Sequence, residues 1–164
     1  MRPVLAIFSA VFLASCATYQ PVPDGYTGST ALVRDSGKYI DDWKKAEVFA
    51  ITEIDGKKIK DTFQASHGAS FGQGFNLNLE VTKRPVPARP MQVKIRGSHI
   101  TGAPIQEIAS RAAGTFFSVE GVVAFDPKPD MRYIVKGILQ KNGSSVWIEE
   151  ESSGQVVTDK VVEN

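Results

Sequence analysis

The chain has 164 residues, with 19 lysine and arginine side chains against 18 aspartate and glutamate side chains. This balance produces no whole-molecule field, so binding to nucleic acid or to other polyanions is not predicted. Cys16 is the only cysteine. Because one cysteine cannot form an intramolecular disulfide, packing and hydrogen bonds must hold the folded domain.

The N-terminal segment has the pattern of a targeting sequence. Arg2 supplies a positive charge, and residues 4–14 form an almost wholly apolar run. The run is too short for a transmembrane helix, which needs about 20 apolar residues. It ends in Leu13-Ala14-Ser15-Cys16, and this tetrad resembles the lipobox of bacterial lipoproteins at all four positions. The sequence therefore predicts a lipoprotein signal peptide over residues 1–15.

The resemblance implies a diacylglyceryl group on the Cys16 sulfur, cleavage before Cys16 and acylation of the new N-terminus. Each buried methylene contributes about 0.8 kcal/mol, so two or three acyl chains make a lasting membrane anchor. Ala17 follows the cysteine, whereas Asp at this position usually retains Gram-negative lipoproteins at the inner membrane. The expected location is the cell envelope, on the outer membrane facing the periplasm. The alternative is an ordinary secretory signal with a coincidental cysteine.

Beyond the anchor, the sequence predicts a tether and one β-sandwich domain. Residues 16–29 contain two prolines and two glycines without apolar periodicity, which is typical of a flexible tether. Residues 30–164 are expected to be mainly β, because short apolar or alternating runs recur between turn residues. The predicted strands are residues 31–34, 46–54, 57–64, 75–82, 91–96, 116–125, 131–140, 145–149 and 155–161.

Three segments of the domain carry more specific structural predictions. Asp55-Gly56 is typical of a type I′ hairpin, which needs φ above zero at both positions. Residues 116–125 and 131–140 are predicted to pair across an Asp-Pro-Lys-Pro-Asp connection. Residues 104–113 are predicted to form a short helix, because Pro104 suits a first helical turn and apolar residues follow at helical spacing.

The C-terminal third contains a recognisable run of residues. Val-Glu-Gly-Val-Val-Ala-Phe-Asp-Pro-Lys-Pro-Asp-Met-Arg-Tyr-Ile-Val-Lys-Gly-Ile-Leu begins at Val119, and Ser-Ser-Val-Trp-Ile-Glu-Glu follows from Ser144. This run resembles a group of uncharacterised small proteobacterial lipoproteins. The resemblance implies an antiparallel, transthyretin-like or immunoglobulin-like β-sandwich in the envelope. Its motifs are structural, so it implies no activity.

The stretch from Ser66 to Gly74 has an unusual composition, with three glycines and two serines around one phenylalanine. Its backbone amides suit an anion or a sugar, but it is not a P-loop because no Gly-Lys-Ser/Thr follows. The favoured prediction is a flexible loop that joins two strands. The candidate residues for contact with a small ligand or a partner are Ser66, His67, Ser70, Phe71, Gln73 and Trp147.

Residues 83–90 pack three prolines and three cations into eight positions. This composition predicts polyproline II geometry. Lys83, Arg84 and Arg89 are candidates for contact with a partner or with anionic lipid headgroups. The favoured alternative is a stiff, solvated connection between strands, because proline also protects sheet edges.

No metal site and no cofactor is predicted. His67 and His99, the only histidines, lie in loop-like sequence without a nearby cysteine, histidine or acid, so both are expected to be solvated. The acids at 126, 130 and 149–151 lack the order of a calcium loop and are expected to be solvated charges near a sheet edge.

The function predicted from the sequence is that of a non-enzymatic envelope lipoprotein, acting as a structural or protein-interaction module. Trp43 and Trp147 are expected to be core or half-buried packing anchors. The membrane, through lipid on Cys16, and an envelope protein or cell-wall component are the expected partners. One alternative is a carrier of a small glycan or peptidoglycan fragment, and another is a hydrolase built from His67, His99 and acidic groups.

Overall fold

The structure is a computed structural model that describes residues 18–163. The predicted signal peptide, over residues 1–15, and the predicted lipidation site at Cys16 lie outside the described residues. In the described part of the chain, no helix has the length and the apolar character needed to cross a membrane.

Ten strands and two helices follow one another along the described chain: β1 (Thr30–Arg34), β2 (Ser36–Asp41), β3 (Lys45–Ile54), β4 (Lys57–Lys58), α1 (Thr62–Ser70), β5 (Lys83–Pro87), β6 (Met91–Thr101), α2 (Pro104–Ala112), β7 (Ser118–Phe125), β8 (Arg132–Ile138), β9 (Ser145–Glu150) and β10 (Val161–Val162). One sheet has the strand order β10-β9-β8-β1-β5, and the other has the order β2-β3-β6-β7 with β4 paired to β3. The two sheets pack against each other, so the predicted β-sandwich is confirmed. The β1–β8 pair is parallel, and the other strand pairs are antiparallel.

The core lies between the sheets and is filled by alternate residues of the facing strands. Phe49 of β3 shows how tightly the sheets approach. A Cβ atom at Gly137 of β8 would lie 2.3 Å from the Phe49 ring, and one at Gly97 of β6 would lie 2.8 Å from it. These two glycines therefore make the space that one large aromatic side chain fills.

Several local predictions are confirmed. The helix expected over residues 104–113 is α2, and the Gln106 side chain accepts a hydrogen bond from the Ala103 N–H at its start. Asp55 and Gly56 have φ values of 49° and 74°, as a type I′ turn requires. The strands predicted over residues 31–34, 46–54, 91–96 and 145–149 form β1, β3, the first part of β6 and β9.

Two predicted strands are wrong. Residues 57–64 were expected to form a returning strand, but β4 ends at Lys58 and α1 begins at Thr62. Residues 75–82 alternate apolar and polar side chains, yet they belong to no strand. Their extended backbone lies beside α1, whose hydroxyl groups bind amides that a neighbouring strand would otherwise bind.

The predicted pairing of residues 116–125 with 131–140 is also wrong. β7 pairs with β6, whereas β8 lies between β1 and β9 in the other sheet. The Asp-Pro-Lys-Pro-Asp connection therefore carries the chain between sheets, and its two prolines lack amide donors for a tight hairpin. The strand predicted over residues 155–161 is reduced to a bridge between Glu149 and Val156, followed by β10.

Candidate functional site

The Ser66–Gly74 stretch is not a flexible loop, because its first half belongs to α1. Asp61 caps this helix, and its carboxylate accepts the Gln64 N–H at 2.9 Å. Ser66 and Ser70 are buried. The prediction that they contact a ligand is therefore wrong, since their hydroxyls face the protein interior.

The buried face of α1 is a row of three hydroxyls that bind backbone. Thr62, Ser66 and Ser70 accept the N–H groups of residues 82, 80 and 78 at 3.0, 2.9 and 2.9 Å. Four residues of helix rise about 6 Å, and two residues of extended chain rise about 6.6 Å, so the spacings match. Tyr39 of β2 also donates to the Leu77 carbonyl and accepts the Leu79 N–H.

Arg84 is not exposed to partners or lipid, which corrects the prediction for residues 83–90. These residues include β5, an edge strand, and Arg84 points inward to Asp35. Arg84 Nη1 lies 2.9 Å from Asp35 Oδ1, and Arg84 Nη2 lies 2.7 Å from Asp35 Oδ2. The side chains are 9% and 0% exposed. Lys83 and Arg89 are exposed, as predicted for solvated positions.

Asp35 joins both sheets and α1, because it lies between β1 and β2 and its carboxylate accepts further hydrogen bonds. The donors are the backbone N–H groups of Ile51 and Thr62 and the hydroxyls of Thr62 and Thr82. The pKa of nearby Asp61 is raised, mainly by burial and also by the charge of Asp35. The network is closed and buried, so it acts as a structural junction rather than a ligand site.

The histidines occupy different environments. His99 was predicted to be a solvated loop residue. This prediction is wrong, because His99 lies on β6 and is buried. Its Nδ1 accepts the Phe117 N–H at 3.2 Å. Burial lowers the His99 pKa, with help from the charge of Lys45. His67 is exposed on α1, as predicted for a solvated residue.

One small cleft brings His67 and His99 together with Arg96 and Glu107. The guanidinium of Arg96 lies over the Phe63 ring, and Glu107 pairs with Arg111. Each polar group in the cleft except His67 thus has a partner inside the domain. Within residues 18–163, no three His, Cys, Asp or Glu side chains are grouped closely enough to hold a metal ion.

The glutamates of β9 and Trp147 are held by local contacts. The Glu150 carboxylate accepts the N–H groups of Ser152 and Ser153 and the Ser152 hydroxyl, so the prediction of a solvated charge is wrong for Glu150. Those hydrogen bonds lower its pKa to about 2. Trp147 is half-buried, as predicted, and it donates to Glu149.

Five of the six most exposed large apolar side chains in the described chain lie at one end of the sandwich, which we call the apolar tip. Its members are Phe71 (83% exposed), Trp43 (65%), Ile108 (62%), Phe75 (60%) and Ile105 (59%). The prediction that Trp43 is a packing anchor is therefore wrong. It has a φ of 59°, in the left-handed region, and the centroid of its ring lies 4.6 Å from that of Tyr39.

Backbone contacts hold the parts of the tip together. The Leu77 N–H donates to the Trp43 carbonyl at 2.7 Å. The Gly102 N–H donates to the Lys44 carbonyl at 3.1 Å. A Cβ atom at Gly102 would lie 2.4 Å from the Phe75 carbonyl oxygen. The β2–β3 turn, the loop after α1 and the start of α2 therefore meet at this end.

Helix α2 turns its apolar face toward solvent, unlike an ordinary surface helix. Its apolar residues recur at helical spacing, yet all of them are exposed: Ile105, Ile108, Ala109 and Ala112. Its half-buried residues are Gln106, Glu107 and Ser110. A surface helix normally turns its apolar stripe toward the core. Here the stripe faces solvent.

The fold and the tip define a compact β-sandwich with an uncovered apolar end. No family model, no curated protein and no solved structure matches this chain. The resemblance to proteobacterial lipoproteins consequently stays a prediction from the sequence.

Proposed function

We propose that this chain is a lipid-anchored protein of the bacterial envelope, attached through Cys16, and that its β-sandwich is a non-enzymatic protein-interaction module. The observation that carries the binding role is the outward-facing apolar stripe of α2. Large exposed apolar patches on soluble domains mark interaction sites.

The apolar tip has the composition of a binding surface. Trp and Phe are enriched where protein interfaces are most deeply buried, and the tip presents Trp43, Phe71 and Phe75 beside two isoleucines. Covering one large apolar side chain contributes about 1.5–3 kcal/mol. The side chains of the tip are at least 59% exposed, so they project from the domain and do not line a cavity. Projecting side chains fit a groove on a protein better than they enclose a small ligand.

The position of the tip favours a protein partner over the anchoring bilayer. β3 runs from Lys45, beside the tip, to Ile54, and these ends lie about 30 Å apart at the usual rise per residue. Tyr19 contacts Lys57, which pairs with Ile54 at the far end of β3. An anchor attached close to Tyr19 therefore leaves the tip away from the lipid.

A photo-crosslinking amino acid tests this role in intact cells when it replaces Phe75 or Ile108. Val122, on the outer face of β7, is a matched control because it is 63% exposed against 62% for Ile108. The expected result is one envelope protein crosslinked from both tip positions and not from position 122. Ile105→Asp should abolish the adduct, whereas Val122→Asp should leave it unchanged.

Three results would overturn the protein-partner proposal. An adduct of twice the mass of the chain would assign the tip to a second copy. A lipid adduct would assign it to a membrane. Equal adducts from positions 75, 108 and 122, or none, would remove the special role of the tip.

A further inference from the structure

We propose that the side of the sandwich around Tyr19 is a lysine-lined surface that lies directly against anionic phospholipid headgroups. The surface is defined by Tyr19, Lys57, Lys60 and Lys83, and we call it the basic side. This inference rests on the lipid anchor of the proposed function and adds the chemistry of the membrane that the domain recognises.

Tyr19 shows that the N-terminal segment is packed on the domain before it reaches Cys16. Its side chain is half-buried and contacts the hydrophobic core, and Lys57 Nζ lies 4.7 Å from the centre of its ring. Cys16 precedes Tyr19 by three residues, which span at most about 11 Å when fully extended. The lipid is thus attached within about 11 Å of the basic side, and the predicted tether is far shorter than residues 16–29 suggest.

The lysines around Tyr19 carry charge that the domain itself does not neutralise. Lys57, Lys60 and Lys83 are all exposed. Salt bridges among residues 18–163 involve Lys38, Lys94 and Lys128, but none of these three. Three cations therefore remain available to an outside anion.

A cavity of about 480 Å³ lies at the centre of the basic side. The N-terminal segment forms one wall with Tyr19 and Val22, and Lys60 and Lys83 stand on the other. Arg84 also lines it, but this guanidinium is bound to Asp35. No carboxylate is among the residues that line the cavity in the described chain. Its apolar wall and free lysines suit the junction of acyl chain and headgroup.

The acids near the basic side do not cancel its charge. Asp55 is paired with Arg89 at 2.8 Å. Asp61 is buried, and burial raises its pKa. Asp24 is exposed in the N-terminal segment and is the acid there that opposes the three lysines. A lysine close to an anionic leaflet increases membrane partition by roughly fivefold, so several lysines beside an anchor favour a seated domain.

The experiment uses the acylated protein reconstituted into vesicles and measures lysine acetylation by mass spectrometry. Vesicles contain phosphatidylcholine alone or with phosphatidylglycerol, and detergent-solubilised protein is the reference. We expect acetylation of Lys57 to fall at least about fivefold on phosphatidylglycerol vesicles. It should stay near the reference on phosphatidylcholine vesicles, and Lys44 and Lys141 should stay near it on both.

Two double variants with the same charge change test the surface further, and Lys57 is retained in both as the reporter. Replacing Lys60 and Lys83 by Glu should abolish the protection of Lys57. Replacing Lys44 and Lys141 by Glu should preserve it. Thermal unfolding of both variants checks that each is folded.

The possible results distinguish a failure of the basic side from a failure of the lipid anchor. Protein that floats with vesicles while Lys57 is acetylated as in detergent overturns the basic side and leaves the anchor intact. Equal protection on both vesicle types overturns recognition of anionic lipid. Protein that fails to float overturns the anchor, and the basic side with it.

Discussion

Arg84 and Asp35 form a buried bidentate ion pair that connects the two sheets of the sandwich. Arg84 comes from β5 in one sheet, and Asp35 Oδ1 also accepts the N–H of Ile51 from β3 in the other. The second carboxylate oxygen binds the N-terminus of α1 through Thr62. One side chain therefore fixes the relative positions of three elements.

Asp35→Asn should destabilise the protein by about 3–5 kcal/mol, because it leaves the buried Arg84 charge without its partner. Chemical denaturation measures the free energy of unfolding. Arg89→Ala is the control, since it breaks an ion pair whose side chains are 50% and 35% exposed, and such pairs contribute at most about 1 kcal/mol. Equal losses in the two variants would show that the buried pair has no special structural role.

Ser66→Ala should destabilise the protein by about 0.5–1.5 kcal/mol, because the Glu80 N–H loses its acceptor in a partly buried hydrogen bond. The amide of Glu80 should also exchange with solvent faster in the variant. Ser110→Ala on α2 is the matched control, since no hydrogen bond of the Ser110 hydroxyl holds another segment. Unchanged exchange at Glu80 would contradict the role of the hydroxyl row.

The extended segment at 75–82 illustrates why the sequence predicted some structural elements correctly and others wrongly. Alternation reports that a chain has two different faces. Here it is correct for Leu77, which is buried between exposed neighbours, and wrong for Phe75 and Val81, which are exposed. It does not report what binds the backbone, and in this segment the acceptors are helix hydroxyls. By contrast, Asp55-Gly56 was predictable because its turn depends on the two residues themselves.

α1 escaped prediction because Ser66, His67 and Gly68 are poor helix formers. A signal for it was present, since Asp61 is followed three residues later by Gln64, the pattern of a capped helix start. The burial of Arg84 had no such local signal, because Asp35 is 49 residues away in the chain. The exposure of the apolar stripe on α2 also depends on tertiary packing, although its periodicity is plain in the sequence.

His99→Asn should flatten the pH dependence of stability on the acidic side of neutrality. The folded-state pKa of His99 lies below its ordinary value of 6.5, chiefly through burial. The unfolded chain therefore binds the proton more readily, so the wild-type protein loses stability as pH falls below 6.5. Asn keeps an acceptor for the Phe117 N–H without titrating.

Thermal unfolding of both proteins from pH 7 to about pH 5 measures the difference. The exposed His67 is present in both proteins and serves as an internal constant. Parallel pH profiles would show that protonation of His99 is not coupled to unfolding.

Cys16→Ala should move the protein from the membrane fraction to soluble fractions, because acyl chains are expected on this sulfur. Ala17→Asp is the companion variant. Because Asp at this position usually retains the lipoproteins that the sequence resembles at the inner membrane, Ala17→Asp should keep the protein on membranes and shift it from the outer to the inner membrane. Fractionation on a density gradient separates the two. Membrane association that persists without Cys16 would contradict the anchor.

Glu150→Gln should weaken the protein at neutral pH and remove part of its sensitivity to acid. Hydrogen bonds from Ser152 and Ser153 lower the Glu150 pKa from 4.5 to about 2. The stabilisation is therefore complete above pH 4.5 and is lost as pH falls toward 2. Acid unfolding of the variant should be flatter in this range, and its stability should approach that of the wild type near pH 2.

Glu149→Gln controls for the loss of a charge at the neighbouring position. Glu149 accepts one hydrogen bond from Trp147, which an amide oxygen also accepts. Its acid profile should keep the wild-type slope, because the Glu150 carboxylate is intact. If both variants flatten the profile equally, the acid sensitivity comes from the general negative charge of β9. If only Glu150→Gln does so, the Ser152–Ser153 turn is held by an ionised carboxylate.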